Sequence, residues 1–260
     1  MRLSILYQFK KIQGVSFLVA NIVISTIGSC RVFRPISVAA RRNIIKSNNK
    51  GLGWYTHSTR DVIQKIAIER AQFAPSASVL PLIVYDLDRY RAEDYSEGFY
   101  DAADVVVIEI CSVKVFENRG VYFQQWCVKR IVENPDQYSD QLVTLAKSTV
   151  AKVLSEQQII CDLDEICTRL GKPVIFVNHI NHGYRKEDML PERHVIFEAI
   201  QKFCALDNRA IQMNPWDYVI EFGQDKALDG PAHYTMSFDD FFSGKIVDAA
   251  RDFLGLIDLR

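Results

Sequence analysis

Short, unbroken apolar runs recur along the chain and predict the strands of a buried sheet. The clearest runs cover 22–27, 104–110 and 173–177, and 209–213 is a further candidate. They are rich in β-branched residues and do not alternate with polar ones, a pattern typical of parallel strands that are covered on both faces. The segment 81–85, which begins with a proline, is expected to form another short strand.

Apolar residues at helical spacing fill the segments between these runs. Ser58 and Asp61 fit a capping box at the start of one helix. A long helix is predicted over 142–170, another begins at Pro191, and the last carries its apolar residues over 241–254. Strand and helix therefore alternate, which predicts the α/β class: a three-layer α/β/α sandwich with a mainly parallel sheet.

The composition is that of a folded globular protein, with 260 residues of which 48% are hydrophobic and 24% charged. A net charge of −1 provides no basic field, so nucleic acid is not an expected partner. The six cysteines contain no CxxC pair, which indicates neither a zinc site nor a disulfide framework. This cysteine usage favours a reducing compartment, and we expect a cytoplasmic location.

The N-terminal residues are similar to a targeting segment. Three basic residues precede an apolar run over 15–27, which is the layout of a signal peptide. The run does not predict a membrane span, because a span needs about 20 apolar residues. We divide the chain into an N-terminal extension over 1–20 and a single domain over 21–260, since no Pro-, Gly- or Ser-rich linker interrupts it.

The first apolar run ends in Gly28-Ser29-Cys30, a turn that offers two nucleophiles. A strand held in the core gives such a turn little freedom, and a nucleophile needs a base. His233 is the candidate base because imidazole carries protons near neutral pH, and Asp229 is the candidate group that orients it. The same turn is similar to a bacterial lipobox, in which Cys30 would carry lipid and the preceding residues would be removed. The lipobox interpretation stays open, although it removes a strand that the fold needs.

The turn and the late pair together resemble the SGNH (GDSL-like) hydrolase superfamily, which has Gly-Asp-Ser after its first strand and Asp-x-x-His before its last helix. Gly28-Ser29-Cys30 is most similar to the Gly-Ser-Cys turn of GSCFA-like proteins and the Gly-Asn-Cys turn of capsule-polysaccharide acetyltransferases. The resemblance implies a flavodoxin-like topology, Cys30 as nucleophile, His233 as base and Asp229 as its orienting residue. It also implies acyl-ester hydrolysis or O-acyl transfer on a carbohydrate.

The remaining site candidates are residues that would bind the substrate or the oxyanion. They are Ser29, Gly53, His57, Ser112, Asn178 and Asn181. No metal is expected, because the histidines after the 173–177 strand lack acidic or cysteine partners at ligand spacing. The expected partner is a small-molecule or carbohydrate ester, with acetyl-CoA as donor if the protein is a transferase. A carbohydrate-binding or structural protein without turnover is the competing interpretation, and the oligomeric state is left open.

Overall fold

The computed structural model describes residues 22–48, 54–84, 100–180, 190–230 and 233–257. Three of the predictions above fall on positions outside these described residues. They are the N-terminal extension over 1–20, Gly53 and Asn181.

The strands form one parallel sheet and two smaller antiparallel ones. They are β1 (Val23–Ile27), β2 (Lys46–Ser47), β3 (Val105–Ile110), β4 (Lys114–Asn118), β5 (Val121–Phe123), β6 (Val150–Val153), β7 (Val174–Asn178), β8 (Ala210–Met213), β9 (Leu228–Asp229) and β10 (His233–Tyr234). The main sheet has the order β2-β1-β3-β7-β8, and all its pairings are parallel. Numbered along the chain, its five strands are arranged 2-1-3-4-5, which is the flavodoxin-like order. The predicted α/β class and topology are therefore confirmed.

Helices cover both faces of the main sheet. They are α1 (Cys30–Arg41), α2 (Thr59–Glu69), α3 (Leu80–Ile83), α4 (Gln125–Glu133), α5 (Asp140–Lys147), α6 (Glu156–Leu170), α7 (Pro191–Leu206), α8 (Pro215–Phe222), α9 (Gln224–Ala227) and α10 (Met236–Ile257). The core on one face includes α2, α6 and α7, and the core on the other includes α1, α8 and α10. This arrangement is the predicted three-layer sandwich. Across the described ranges, none of the helices combines the length and apolarity needed to cross a membrane.

The central strand β3 contributes to both cores because side chains alternate along a strand. Val106 and Ile108 lie in the core beneath α2, whereas Val105 and Val107 lie in the core beneath α1. Every residue of β3 is buried, as the unbroken apolar run predicted. Glu109 falls on the α1 side by the same alternation, which places a carboxyl group in the interior next to the start of that helix.

A smaller unit is inserted in the chain between β3 and β7, which pair directly in the main sheet. It consists of the antiparallel sheet β5-β4-β6 together with α4 and α5. A third apolar core, separate from the other two, contains buried residues of α3, α4 and α5 such as Leu82, Ile131 and Leu142. Because β4 follows β3 directly, this unit stands over the carboxyl end of the central strand.

Two sequence predictions in this region are wrong. The helix predicted over 142–170 is divided into α5 and α6 by β6, whose residues pair with β4 at Val115↔Lys152 and its neighbours. A capping box of Ser155 and Gln158 then starts α6 anew. The strand predicted over 81–85 is instead the short helix α3, because Pro81 fits the first turn of a helix and a short apolar run does not distinguish the two structures.

Candidate active site

A glycine allows the turn after β1 to pass very close to β3. Gly28 has φ +144°, and a Cβ atom built at this position would lie 2.7 Å from the Cβ of Glu109. The carbonyl oxygen of Gly28 accepts a hydrogen bond of 3.1 Å from the backbone N–H of Thr56. The turn is therefore held on both sides, and α1 begins only two residues after the glycine.

Glu109 binds the turn through both of its carboxylate oxygens. The backbone N–H of Ser29 donates to Oε2 at 3.1 Å, and the Ser29 hydroxyl donates a short hydrogen bond to the same oxygen. The Nε of Arg31 donates to Oε1 at 2.6 Å. The side chain of Glu109 is 1% exposed. Glu109 was not among the candidate site residues, although it is the single acidic residue in the apolar run over 105–110, and that exception is the signal that the sequence offers.

Ser29 is thus occupied by a structural role, whereas Cys30 is available for chemistry. Ser29 caps α1, and its hydroxyl is engaged with Glu109. Cys30 is the first residue of α1 and is partly exposed. Its backbone N–H has no acceptor among the described residues. Of the two nucleophiles in the turn, Cys30 has the more favourable environment.

A cavity of about 530 Å³ opens at the carboxyl ends of β1 and β3. Five of the predicted site residues line it, which are Ser29, Cys30, His57, Ser112 and His233. The hydroxyl of Ser112 accepts from the backbone N–H of Lys114 at 2.9 Å, so this side chain also shapes the start of β4. The fold therefore brings together residues that are far apart in the sequence, as expected for the carboxyl edge of a parallel sheet.

His233 and Asp229 face each other across the β9–β10 hairpin. They are register partners in this antiparallel pair, and Gly230 turns the chain between them with φ +72°. Directly opposite residues in such a pair have Cβ atoms about 5 Å apart. Both residues are exposed, and neither an ion pair nor a hydrogen bond joins their side chains in this described hairpin. Asp229 is not among the described residues that line the cavity.

Asn178 is placed away from the cavity wall. Its amide Nδ2 donates to Asn214 Oδ1 at 3.0 Å, and its Oδ1 accepts from Gln212 Nε2 at 3.2 Å. The residue is 1% exposed. These contacts connect the end of β7 with β8 and the start of α8, so the described geometry gives Asn178 a structural role outside the lining of the cavity.

His57 is firmly held in the cavity wall. Its Nδ1 lies 2.8 Å from Oε1 of Gln124, and Nε2 of Gln124 donates to the carbonyl oxygen of Tyr55 at 2.7 Å. Its own carbonyl oxygen accepts from the backbone N–H groups of Cys111 and Ser112, at 2.8 and 2.9 Å. The imidazole and its backbone are thus fixed to the end of β3 and to the start of α4.

Two guanidinium groups, those of Arg31 and Arg193, line the cavity, and Arg31 is paired with the carboxylate of Glu109. Burial opposes the charge of Arg31, but the adjacent carboxylate of Glu109 outweighs it and raises the pKa of this side chain. Burial and the positive charge of Arg31 lower the pKa of Arg193. Burial and the charge of Glu109 raise the pKa of Cys111, so this thiol is neutral at physiological pH.

The histidines of the cavity do not form a metal site within the described part of the chain. No group of three or more His, Cys, Asp or Glu side chains has a metal-binding arrangement there. His179 is buried, and its backbone N–H donates to the carbonyl oxygen of Ile110.

Comparison with known protein families shows which family the chain belongs to. A family model, the TviD N-terminal domain, matches residues 22–142 and 135–249, which together cover most of the chain. The chain belongs to the TviD N-terminal domain family. The match begins at β1 and ends within α10, so the TviD N-terminal domain includes the nucleophile turn, the antiparallel unit and the β9–β10 hairpin. No individual curated protein matches the chain significantly.

Proposed function

We propose that this domain is an O-acyltransferase or esterase that acts on a carbohydrate ester through a covalent acyl group on Cys30. The observation that carries the proposal is the position of Cys30. It begins α1, lines the cavity and shares that cavity with His233 and His57. The family gives further support, since its name relates the domain to TviD, a protein linked to O-acetylation of the Vi capsule polysaccharide.

In the first half of the proposed reaction, His233 accepts the thiol proton and the sulfur of Cys30 attacks the acyl carbonyl carbon. The donor fragment departs with that proton, and a thioester remains on Cys30. Asp229, opposite His233 in the hairpin, would orient the imidazole once substrate binds. The backbone N–H of Cys30, which has no acceptor among the described residues, is the donor that we propose for the oxyanion.

In the second half, a hydroxyl group attacks the thioester. A sugar hydroxyl gives O-acyl transfer, and water gives hydrolysis. We propose acetyl-CoA as the donor for the transferase, because a thioester donor matches a thioester intermediate in energy and needs no resident cofactor. The guanidinium groups of Arg31 and Arg193 would stabilise negative charge as the substrate reacts.

The same geometry supports a relationship with the SGNH (GDSL-like) superfamily. The nucleophile turn follows the first strand, the Asp229–His233 pair precedes the last helix, and the sheet order is flavodoxin-like. We propose that the domain is an SGNH-like enzyme in which cysteine replaces the usual serine. The neutral, partly exposed Cys111 and the adjacent Ser112 stand where the superfamily has an asparagine, so the oxyanion site would depend on the turn itself.

A carbohydrate-binding protein without turnover is the second candidate. The observation that favours it is Trp126, which lines the cavity and is 59% exposed. An indole ring with this exposure offers a flat apolar surface beside a polar cavity, and such amphipathic aromatic surfaces are frequent in binding sites. Binding of this kind is also compatible with catalysis, so the covalent intermediate decides between the two candidates.

The test is the formation of the acyl-enzyme. The chain is mixed with an acetyl thioester, and mass spectrometry locates the acetyl group on the Cys30 peptide. Cys30→Ala should abolish the modification, and His233→Ala should slow it by about a hundredfold. Cys161→Ala is the matched control, because Cys161 is exposed on α6 and lines a different groove. Labelling that is slow and equal in the His233 variant would contradict catalysis, and a lipid mass on Cys30 would favour the lipoprotein interpretation.

A further inference from the structure

The amide of Gln124 determines which nitrogen of His57 carries a proton. Nε2 of Gln124 donates to the carbonyl oxygen of Tyr55 at 2.7 Å, which turns Oε1 of the amide toward Nδ1 of His57 at 2.8 Å. An amide oxygen only accepts hydrogen bonds, so Nδ1 must be the donor. In the neutral imidazole the lone pair is then on Nε2, which makes Nε2 the atom that accepts a proton.

The Nε2 atom of His57 is accessible from the cavity. It lies on the other side of the ring from Nδ1, and Gln124 is 3% exposed and forms the wall behind the ring. No described residue makes a hydrogen bond to Nε2, and this atom is not among the buried polar atoms without a partner. Since His57 lines the cavity and is only partly buried, Nε2 is the basic atom that it presents there.

The position of the ring is fixed relative to the nucleophile turn. The backbone N–H of His57 donates to Asp61 Oδ2 at 3.2 Å, and the preceding residue, Thr56, donates to the carbonyl oxygen of Gly28 at 3.1 Å. The Gln124 backbone N–H donates to the carbonyl oxygen of Leu82 at 2.8 Å. Both partners of the His57–Gln124 contact are therefore anchored by the main chain, and one of them is anchored to the turn that carries Cys30.

The ring of His57 is held differently from that of His233, the base in the proposed function. His233 is exposed on a hairpin, and no hydrogen bond orients its ring among the described residues. An enzyme that forms and then transfers an acyl group must remove a proton twice, once from the thiol and once from the acceptor hydroxyl. Besides the buried His179, the cavity wall includes one imidazole near the surface and another with a fixed tautomer, which suits a division of these two tasks.

We propose that His57 is the base for the acceptor hydroxyl and that Gln124 is the positioning residue that holds its tautomer; this inference rests on the proposed function. As the hydroxyl oxygen forms a C–O bond with the thioester carbon, its proton passes to Nε2 of His57. The C–S bond breaks, and its electron pair remains on the sulfur of Cys30. The proton then returns from the imidazolium to the thiolate through water in the cavity, which restores both groups.

The two half-reactions separate this inference from the proposed function. The chain is acetylated with the acetyl thioester of N-acetylcysteamine, excess reagent is removed, and the decay of acetyl-Cys30 is followed by mass spectrometry with glycerol as the acceptor probe. His57→Gln should form the acyl-enzyme within about threefold of the native rate, but its decay should be about a hundredfold slower. His233→Ala should slow the formation of the acyl-enzyme instead.

Each outcome has a distinct meaning. A native chain that forms no acetyl-Cys30 would overturn the proposed function, and the inference with it. A native chain that forms acetyl-Cys30, together with a His57 variant that loses it at the native rate, would overturn the inference and leave the proposed function standing. Thermal unfolding of each variant shows whether it is folded, and Gln201→Leu, which changes an exposed glutamine on α7, is the control.

The positioning role of Gln124 is tested by NMR on the chain without substrate and by the decay of acetyl-Cys30. The ¹⁵N chemical shifts of His57 should report the Nδ1–H tautomer in the native chain and in Gln124→Glu, whose carboxylate also accepts from Nδ1. In Gln124→Leu the preference should be lost, and acetyl-Cys30 should decay at least tenfold more slowly than in Gln124→Glu. An Nε2–H tautomer in the native chain would overturn the assignment, and so would equal decay in the two Gln124 variants.

Discussion

Ser29 donates both its backbone N–H and its hydroxyl to the same oxygen of the buried Glu109 carboxylate. The other oxygen binds Arg31, so one acidic side chain orients the residues on either side of Cys30. Ionised acceptors make the stronger hydrogen bonds of proteins, and here the acceptor is almost fully buried. The carboxylate at the end of β3 therefore sets the conformation of the nucleophile turn.

Glu109→Gln should weaken this turn while retaining the size of the side chain. A neutral amide presents one oxygen for three donors, and its NH₂ group opposes one of them. We expect the free energy of unfolding to fall by about 1–3 kcal/mol, and acetylation of Cys30 by a thioester to slow at least tenfold. Glu117→Gln is the control, because this glutamate pairs with Lys152 near the surface. Equal acetylation rates in both variants would contradict a positioning role for Glu109.

Gly28→Ala should lower the free energy of unfolding, because the backbone conformation at this position is unfavourable for alanine and there is no space for a side chain. The new Cβ would meet the Cβ of Glu109 at 2.7 Å, at a φ of +144°. Backbone strain of this kind costs about 1–3 kcal/mol, and overpacking adds a similar amount. Gly244→Ala is the matched control, because a Cβ atom built at that position in α10 meets no atom within 4 Å beyond its chain neighbours and the backbone of its own helix. It should stabilise the chain by up to about 1 kcal/mol, and urea unfolding measures both changes.

Lys65→Met should destabilise the chain far more than the same change at an exposed helical pair. Lys65 pairs with Glu69 at 3.6 Å, and both side chains are at most 3% exposed. Burial lowers the pKa of Lys65 and raises the pKa of Glu69. Burial thus disfavours the charged form of each group, and the opposite charge of its partner offsets part of that cost. Loss of one partner leaves a buried charge and should cost about 3–5 kcal/mol.

The control for Lys65 is Lys129→Met, which removes one member of another i,i+4 pair. Lys129 and Glu133 are both more than half exposed, so the change should cost under about 0.5 kcal/mol. A double variant, Lys65→Met with Glu69→Gln, should recover stability because no unpaired charge remains. Equal losses of stability in Lys65→Met and Lys129→Met, or no recovery of stability in the double variant, would contradict this account.

Asp239 should give the stability of the chain a measurable dependence on pH. Burial raises the pKa of Asp239 from 3.8 to about 6, although Arg34 pairs with it at 2.7 Å. Between these values the native carboxyl group retains a proton that the unfolded chain has released. The native state then binds more protons, so the free energy of unfolding contributed by this group falls as pH rises through that window.

Asp239→Asn should remove this contribution, because an amide does not titrate. The difference between the free energies of unfolding at about pH 4 and about pH 7 should change by more than about 1 kcal/mol relative to the native chain. Asp240→Asn, which removes the half-exposed partner of Arg42, is the control and should leave the difference unchanged. Urea unfolding of each chain at the two pH values gives this difference. An equal difference in the native chain and both variants would contradict the role of Asp239.

The elements that the sequence predicted well are those encoded by neighbouring residues. The apolar runs that became β1, β3 and β7 were recognisable because a strand buried on both faces needs a continuous series of apolar side chains. The capping box at Ser58 was recognisable because its two partners are three residues apart. The nucleophile turn was apparent for the same reason, as an abrupt change from apolar to small residues.

The sequence alone thus determined the α/β class, four of the five strands of the parallel sheet and the turn that carries Cys30, whereas β2 was not predicted. Only the tertiary structure decided the division of residues 142–170 by β6, because that strand exists through its pairing with β4. Only the tertiary structure showed that Gln124 contacts His57, which is 67 positions away in the sequence, and that Glu109 contacts Ser29, which is 80 positions away. Such contacts depend on strand order and register, which no local pattern of apolar and polar residues specifies.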